Sequence, residues 1–507
     1  MAYVIGIDIG TSGTKTVLFT EAGTVVASVS AEYPMYQPEN GWAEQEPEDW
    51  WNAVCVTCKA VIAKSGITAG EIKGIGLSGQ MHGLVMLDAV GKVLRRSILW
   101  CDQRTGKECE EMTHLLTREK LIAITANPAL TGFTASKILW VQSNEPAVYE
   151  KCRHILLPKD YIRYKLTGEF ATEVSDASGM QLLDVPGRCW SDEVLEKLSI
   201  DKSLLGKVYE SVEQTGTVHK TAAVETGLPV GTVVVGGAGD NAAAAVGTGT
   251  VRNGSAFVTI GTSGVVYAHT DKPVIDPQGR VHTFCCAVPG EWHVMGVTQA
   301  AGLSLKWFRD NFCHAEIETA KCMGIDPYEL MTAEAARIPI GAERLLYLPY
   351  LMGERTPHLD PDCRGMFFGL SAVHTRPHLI RAVLEGVSYS LNDCMSILRG
   401  MGVAPDALIA CGGGGKSPFW RQMLADITNA RIATIRASEG AALGVGILAA
   451  VGTGMYKSVP EACAAILKES DSAMPNAGDA AKYADVYRMY TALYPSVKDV
   501  CKELAGM

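Results

Sequence analysis

The residues best suited to chemistry in this chain are two aspartates, each beside a run of small residues. Asp8 lies in Ile7-Asp8-Ile9-Gly10-Thr11-Ser12-Gly13, and Asp240 in Val235-Gly-Gly-Ala-Gly-Asp240-Asn241-Ala-Ala-Ala-Ala. A Gly-Thr-Ser-Gly turn presents several backbone N–H groups and two hydroxyls in a small volume, which suits phosphate oxygens. A near-copy, Val258-Thr259-Ile260-Gly261-Thr262-Ser263-Gly264, recurs about half a chain later. Two such turns facing each other would hold a polyphosphate from both sides. They differ where Thr259 replaces Asp8. One carboxylate suffices to hold Mg²⁺ through water beside phosphates, and a second would add repulsion. Asp240 follows a strand and a Gly-rich turn and opens an Ala-rich helix, with room for a substrate hydroxyl whose proton it would accept. The structural alternatives are two tight turns without a ligand and, for Asp240, an ordinary helix N-cap.

Three further segments could line a site. Cys411-Gly-Gly-Gly-Gly-Lys416-Ser417 follows the apolar Leu408–Ala410 and precedes a helical stretch from Phe419 to Thr428. Four glycines, including Gly413 and Gly414, let a flat ring or a phosphate approach the backbone. The spacing is not that of a P-loop, and a surface loop is the competing reading. Gly79-Gln80-Met81-His82-Gly83 ends a strand expected over Ile72–Leu77, where His82 could donate to a hydroxyl and Met81 pack against carbon. Trp100-Cys101-Asp102-Gln103-Arg104 offers a ring, a carboxylate and a guanidinium for a polyol, or forms an ion-paired turn. His374 and His378 stand four apart, but Pro377 interrupts a helix and the zinc-protease Glu is missing. No Gly-x-Gly-x-x-Gly fingerprint occurs in a dinucleotide-binding context.

The elements that must position these residues read as α/β. Tyr3–Ile9, Lys15–Phe19 and Val25–Val29 form a strand meander, Trp50–Ala63 has helical periodicity, and Val233–Val235 is a strand before a helix from about Asn241 to Val246. At 507 residues the chain exceeds one hydrophobic core. With the repeated turn, this predicts an internal duplication into residues 1–254 and 255–507. With 47% hydrophobic and 20% charged residues the chain is expected to be globular, and its net charge of −10 argues against nucleic acid or anionic membrane as a partner. The apolar run from Gly440 to Tyr456 reads as a buried helix, short for a bilayer span. Without a targeting segment a cytoplasmic location is expected, with fifteen cysteines as reduced thiols. Cys55 and Cys58, one helical turn apart, lack a second pair for metal binding.

Together, in order and spacing, these motifs resemble the FGGY family of carbohydrate kinases, from Ile5 to about Ala450. Ile7–Ser12 and Ile260–Ser263 resemble its two phosphate motifs. Gly412–Gly414 with Ser417 resemble its adenosine site, and Gly365–Leu370 continuing through Arg381 to Glu385-Gly386 its C-terminal signature. The resemblance implies two actin-like, ribonuclease-H-like domains about a deep cleft. It also implies ATP with Mg²⁺ near Asp8, and Asp240 as base. The nucleotide would contact Gly10, Thr11, Ser12, Lys15, Gly261, Thr262, Ser263, Gly302, Lys306, Gly413, Gly414 and Ser417. A sugar would contact Met81, His82, Trp100, Asp102, Arg104, Asp240 and Asn241. The substrate loop implies D-xylulose; Cys101 and Gln103 depart from the commoner pattern, and ribulose, fuculose and gluconate stay open. A homodimer is a further expectation from the resemblance. An actin- or chaperone-like ATPase and an idle sugar sensor share the frame but have no need of both carboxylates with the sugar-loop motifs.

Overall fold

The first strands hold the Gly10-Thr11-Ser12-Gly13 turn at the end of a hairpin. The computed structural model describes residues 2–436 and 439–507. Strand β1 (Tyr3–Ile9) pairs antiparallel with β2 (Gly13–Thr20), placing Asp8 opposite Lys15, and β2 pairs antiparallel with β3 (Val25–Glu32). On the other side of β1 lies β4 (Ile72–Gly79), parallel, with Asp8 beside Ser78. Strands β5 (Gln214–Thr217) and β6 (Val233–Val235) complete the order β5-β6-β4-β1-β2-β3, while β7 (Ala238–Gly239) extends along the end of β4.

The second half repeats this plan. Strands β8 (Ala256–Ile260) and β9 (Gly264–Thr270) form the equivalent hairpin. With β10 (His282–Cys285), β11 (Trp292–Thr298), β12 (Ala407–Cys411), β13 (Arg431–Ile435) and β14 (Glu469–Ala473), they order as β10-β11-β9-β8-β12-β13-β14. Three antiparallel strands beside two parallel ones are common to both sheets. The sequence-predicted elements appear within a few residues of their expected ends.

Helices cover both faces of each sheet, which is why the central strands are apolar on both sides. Helix α1 (Pro47–Ser65) and α2 (Pro158–Thr167) bury Trp50, Val54, Tyr161 and Ile162 against one face of the first sheet. The opposite face is covered by α3 (Asp240–Thr248) and α4 (Gly440–Gly452). The predicted buried helix is therefore α4, and it leaves its own half to pack on the first sheet. Close approach explains its small residues: a Cβ on Gly6 of β1 would stand 2.0 Å from the Ala442 carbonyl oxygen, and one on Gly76 1.9 Å from that of Val445. Among the described residues no helix is long and apolar enough to cross a membrane. Burial raises the Cys55 and Cys58 thiols to about 11 and 12, so neither is a ready thiolate.

Candidate active site

The ends of three neighbouring strands create the first half of the site. β1 runs into the Gly10 turn, β4 into Gln80-Met81-His82, and β7 into Asp240. The Gln80 N–H donates to the Ile9 carbonyl at 2.8 Å, so the two loops leave the sheet side by side. The turn closes by Gly10 N–H to the Gly13 carbonyl at 3.0 Å, and Tyr33 donates its hydroxyl to the Gly10 carbonyl at 2.5 Å. Thr11 accepts from the Trp100 indole at 3.0 Å, and Ser12 is exposed at the tip. Ligands gather at such carboxyl ends of strands in open α/β sheets.

Asp240 is not the helix N-cap. Gly239 holds that position, and Asp240 is the first helical residue, its Oδ1 accepting from the Asn241 backbone N–H at 2.7 Å and Nδ2 at 2.9 Å. Burial raises the Asp240 pKa to about 6, and the nearby Asp8 charge adds to the rise. Asp8 is itself raised by burial, against the opposing effects of Ser78 and Lys15. Asn241 gives one of its two side-chain N–H groups to Asp240, which leaves the other and its carbonyl oxygen for a ligand. Lys15 is engaged as well: its ammonium lies 2.5 Å from Glu439, just before α4.

The sugar-loop residues divide sharply. Met81 is buried against the strap before Asp240, where a Cβ on Gly239 would meet its Cγ at 2.9 Å. His82 has φ +69°, and its carbonyl accepts from Lys137 Nζ at 2.9 Å and Thr134 at 3.1 Å. Its ring stacks on Phe133 at 4.3 Å and its Nδ1 lies 2.8 Å from the Gly179 carbonyl. Burial pushes the His82 pKa down to about 3, so the ring is neutral and Nδ1 must carry the proton that the carbonyl accepts. Nε2 is then a bare acceptor, which corrects the expectation that His82 donates.

Asp102 and Arg104 do not open to a sugar. Asp102 is 0% exposed; its oxygens accept from the Ala43 N–H at 2.6 Å and from Arg104 Nε and Nη2 at 3.0 and 2.7 Å. The Arg104 guanidinium carbon lies over the Trp42 ring, 3.6 Å from its centroid, and the group pairs with Glu44 at 2.9 Å. The ion-paired turn describes both residues, while Trp100 stays 40% exposed. Lys137, which sequence reasoning missed, is fully buried and holds Gly132 as well as His82 by its carbonyl, with burial lowering its pKa to about 7. No local motif marks it.

The second half holds a cavity of about 760 Å³. Gly261, Thr262, Gly302, Lys306, Gly413, Gly414 and Ser417 line it, whereas Ser263 sits on the turn away from its wall. Helix α5 (Gly302–Phe312) is stitched to the turn, with Gly302 N–H donating to the Gly261 carbonyl at 2.7 Å and Leu303 N–H to that of Thr262 at 3.1 Å. Gly412 has φ +77°, and a Cβ there would lie 2.7 Å from the Ile260 carbonyl oxygen, so the Gly-rich loop closes directly on the first strand. Ser417 caps helix α6 (Pro418–Thr428) by accepting from the Trp420 N–H at 3.3 Å. The remaining wall, Asp326, Tyr328, Glu329 and Thr332, comes from the start of a helix over Pro327–Ala335, an ordinary helical pattern that gives no sequence signal.

Two copies of one sheet plan, each turning on Gly-Thr-Ser-Gly, define a two-domain actin-like protein. The FGGY carbohydrate kinase N-terminal domain model matches residues 3–247 and the C-terminal domain model residues 256–453. A xylulose kinase of Bacillus subtilis is 39% identical over 500 residues, 99% of this chain and 98% of the relative. A gluconokinase of the same organism is 35% identical over 459 residues, 90% and 89% of the two chains. The crystal structure of a ligand-bound xylulose kinase from Lactobacillus acidophilus superposes with a TM-score of 0.92 at 28% identity, covering 99% of this chain and 100% of that one. The chain belongs to the FGGY family of carbohydrate kinases. It is thus an enzyme that moves phosphate from ATP to a sugar.

Proposed function

We propose that the sugar is D-xylulose and the product D-xylulose 5-phosphate, with Asp240 as general base. The observation that carries this reading is the placement of Asp240, Asp8 and the Met81-His82 loop at the ends of adjoining strands. The similarity to xylulose kinases supports the choice of sugar. Residues 1–254 would bind the sugar and 255–507 the nucleotide, apart from α4, which serves the first sheet.

In this reading the C5 hydroxyl lies against Asp240 and the γ-phosphate reaches from the second half. The hydroxyl oxygen bonds to phosphorus as the bond to the ADP oxygen breaks, and Asp240 takes the proton. A base with a pKa of about 6 is largely ionised at neutral pH and close enough in strength to accept that proton. The His82 Nε2 accepts from a second hydroxyl, which fixes the sugar's orientation. Asp8 is a single hard oxygen donor beside the phosphate turn, which is the donor set Mg²⁺ takes when nucleotide phosphates and water supply the rest. Among the described residues no group of three or more His, Cys, Asp or Glu side chains is placed to hold a metal ion. When bound, Mg²⁺ supplies neutralisation of the phosphate charge.

The test is ADP release with ATP and Mg²⁺ against D-xylulose, D- and L-ribulose, L-fuculose, gluconate, glycerol and no sugar. Selective release with D-xylulose is expected. A stronger response to gluconate or another sugar would overturn the substrate and keep the mechanism. Release indifferent to every sugar would overturn the mechanism.

A further inference from the structure

The sugar loop belongs to the first half, yet one charged side chain of the second half reaches it. Glu354 and Arg355 lie between the strands Leu346–Leu348 and Met366–Phe368. The Glu354 carboxylate is buried and saturated, accepting from the Thr298 hydroxyl at 2.6 Å, the Gln299 N–H at 2.9 Å and the Arg355 N–H at 2.8 Å. Thr356 adds a bond from its N–H to the Val297 carbonyl at 3.0 Å. The backbone at Arg355 is therefore pinned to the end of β11.

From that anchor the guanidinium crosses to the first half. Arg355 Nη2 stands 4.0 Å from where a Cβ on Gly132 would be, and Gly132 adjoins Phe133, the ring stacked on His82. Its positive charge helps to lower the pKa of both His82 and His282. Among the described residues the Arg355 guanidinium has no ion pair or hydrogen bond. The more deeply buried arginines are clamped: Arg104 by Asp102, Arg163 by Asp160 and Arg381 by Glu385. Arg355 is half-buried, so its five N–H donors are partly withdrawn from water without a protein acceptor, which is unfavourable. Burial lowers the Arg355 pKa accordingly.

The contacts form a row: Asp240, then Gly239 against Met81, then His82, Phe133, Gly132 and Arg355. The base stands at one end and the unpartnered guanidinium at the other. We infer that Arg355 is a sugar-binding residue, donating to the C1 hydroxyl and C2 carbonyl oxygens at the end of the ketose opposite the hydroxyl that receives phosphate. This rests on the D-xylulose reading above. It also makes the sugar a bridge between the halves, because its two ends are then held by different sheets.

The experiment measures KM for D-xylulose and 1-deoxy-D-xylulose in the natural protein, Arg355→Met and Arg355→Lys, with ATP affinity measured in the absence of sugar. Arg355→Met should raise the D-xylulose KM about 10- to 100-fold, the usual effect of losing a charged hydrogen bond. Its ATP affinity should match that of the natural protein, and Arg355→Lys should recover part of the loss. Removing the C1 hydroxyl should weaken the natural protein and make no further difference to Arg355→Met. A D-xylulose KM within twofold in Arg355→Met, or the same deoxy-sugar penalty in both proteins, overturns the proposal. Should Arg355→Met lose ATP binding, and so its fold, the deoxy-sugar comparison between Arg355→Lys and the natural protein decides. If the natural protein ignores D-xylulose, the substrate assignment falls alone, and the variants are read on the sugar it accepts. An unchanged KM for that sugar then overturns Arg355 separately.

Discussion

A carboxylate that accepts a proton near neutral pH needs an environment that penalises its charge, and that penalty is also a burden on the fold. Asp240 carries both. Its pKa rises from 3.8 to about 6 on folding, so the native state binds the extra proton. The destabilisation is absent below about pH 4 and complete above about pH 6. Asp240→Asn should therefore melt higher at pH 7.5, by an amount on the order of 1–3 kcal/mol, while turnover falls roughly 10²–10⁴-fold or more. Calorimetry and a coupled assay on one preparation test this; near-normal turnover would remove Asp240 as base. In the natural protein kcat/KM for the sugar should climb with pH and level off above a midpoint near 6. A profile flat from pH 5 to 8 would contradict the raised pKa. At this scale the sequence exposes residue type but not protonation. The sequence marks His82 as a site residue, yet only the Gly179 carbonyl at its Nδ1 makes it an acceptor. Asp102 looks open in sequence and is closed by Arg104, because burial depends on what packs above it.

The elements determine whether such a side chain points usefully, and the strap before Asp240 shows how. Gly236 N–H donates to the Glu213 carbonyl at 2.9 Å and Gly237 N–H to the Ser211 carbonyl at 2.9 Å, while Arg163 donates to the Gly236 carbonyl. Gly237 has φ +68° and lies so near β4 that a Cβ would stand 2.0 Å from the Leu77 carbonyl oxygen. Finally, Gly239 N–H donates to Ser175 Oγ at 3.1 Å, and Ser175 donates to Glu173 at 2.9 Å, whose other oxygen accepts from Ser211 at 3.0 Å. Ser175→Ala would leave a buried N–H without an acceptor, a loss of about 1–3 kcal/mol. It should lower kcat about 10-fold or more through a misplaced Asp240, with ATP affinity unchanged. Loss of stability with kcat intact would show the strap to be structural only. The strap's glycines are plain in the sequence; the Glu173-Ser175 support is not, because it pairs residues more than sixty positions apart. The same separation hides Arg355, whose loop has no periodic pattern to signal its reach.

For the whole molecule, the question is how two sheets, proposed to hold different substrates, keep one geometry. The duplicated turn makes the two halves visible in the sequence, and the Ala- and Gly-rich run from residue 440 announces a buried helix. Which sheet that helix joins is not written there, since small residues fit any close crossing. In the structure α4 meets α3 so closely that a Cβ on Gly444 would stand 1.8 Å from the Ala243 carbonyl oxygen, and one on Gly247 2.1 Å from that of Gly440. Because α3 begins at Asp240 and α4 follows β13 of the second half, this crossing would tie the proposed base to the proposed phosphate donor. Gly444→Val must push the helices apart, and overpacking of this kind costs about 1–3 kcal/mol, occasionally more. The cavity proposed for the nucleotide is lined entirely by residues from Ile260 to Trp420 and does not include the crossing. The variant should therefore bind ATP within a few-fold of the natural protein, melt lower, and lose kcat by 10-fold or more, since displacements near 1 Å can cost about 10²-fold in rate. Titration calorimetry with ATP, a melting curve and turnover separate the three effects. Turnover preserved alongside a lower melting temperature would mean that the crossing supports the fold without setting the distance between hydroxyl and phosphate.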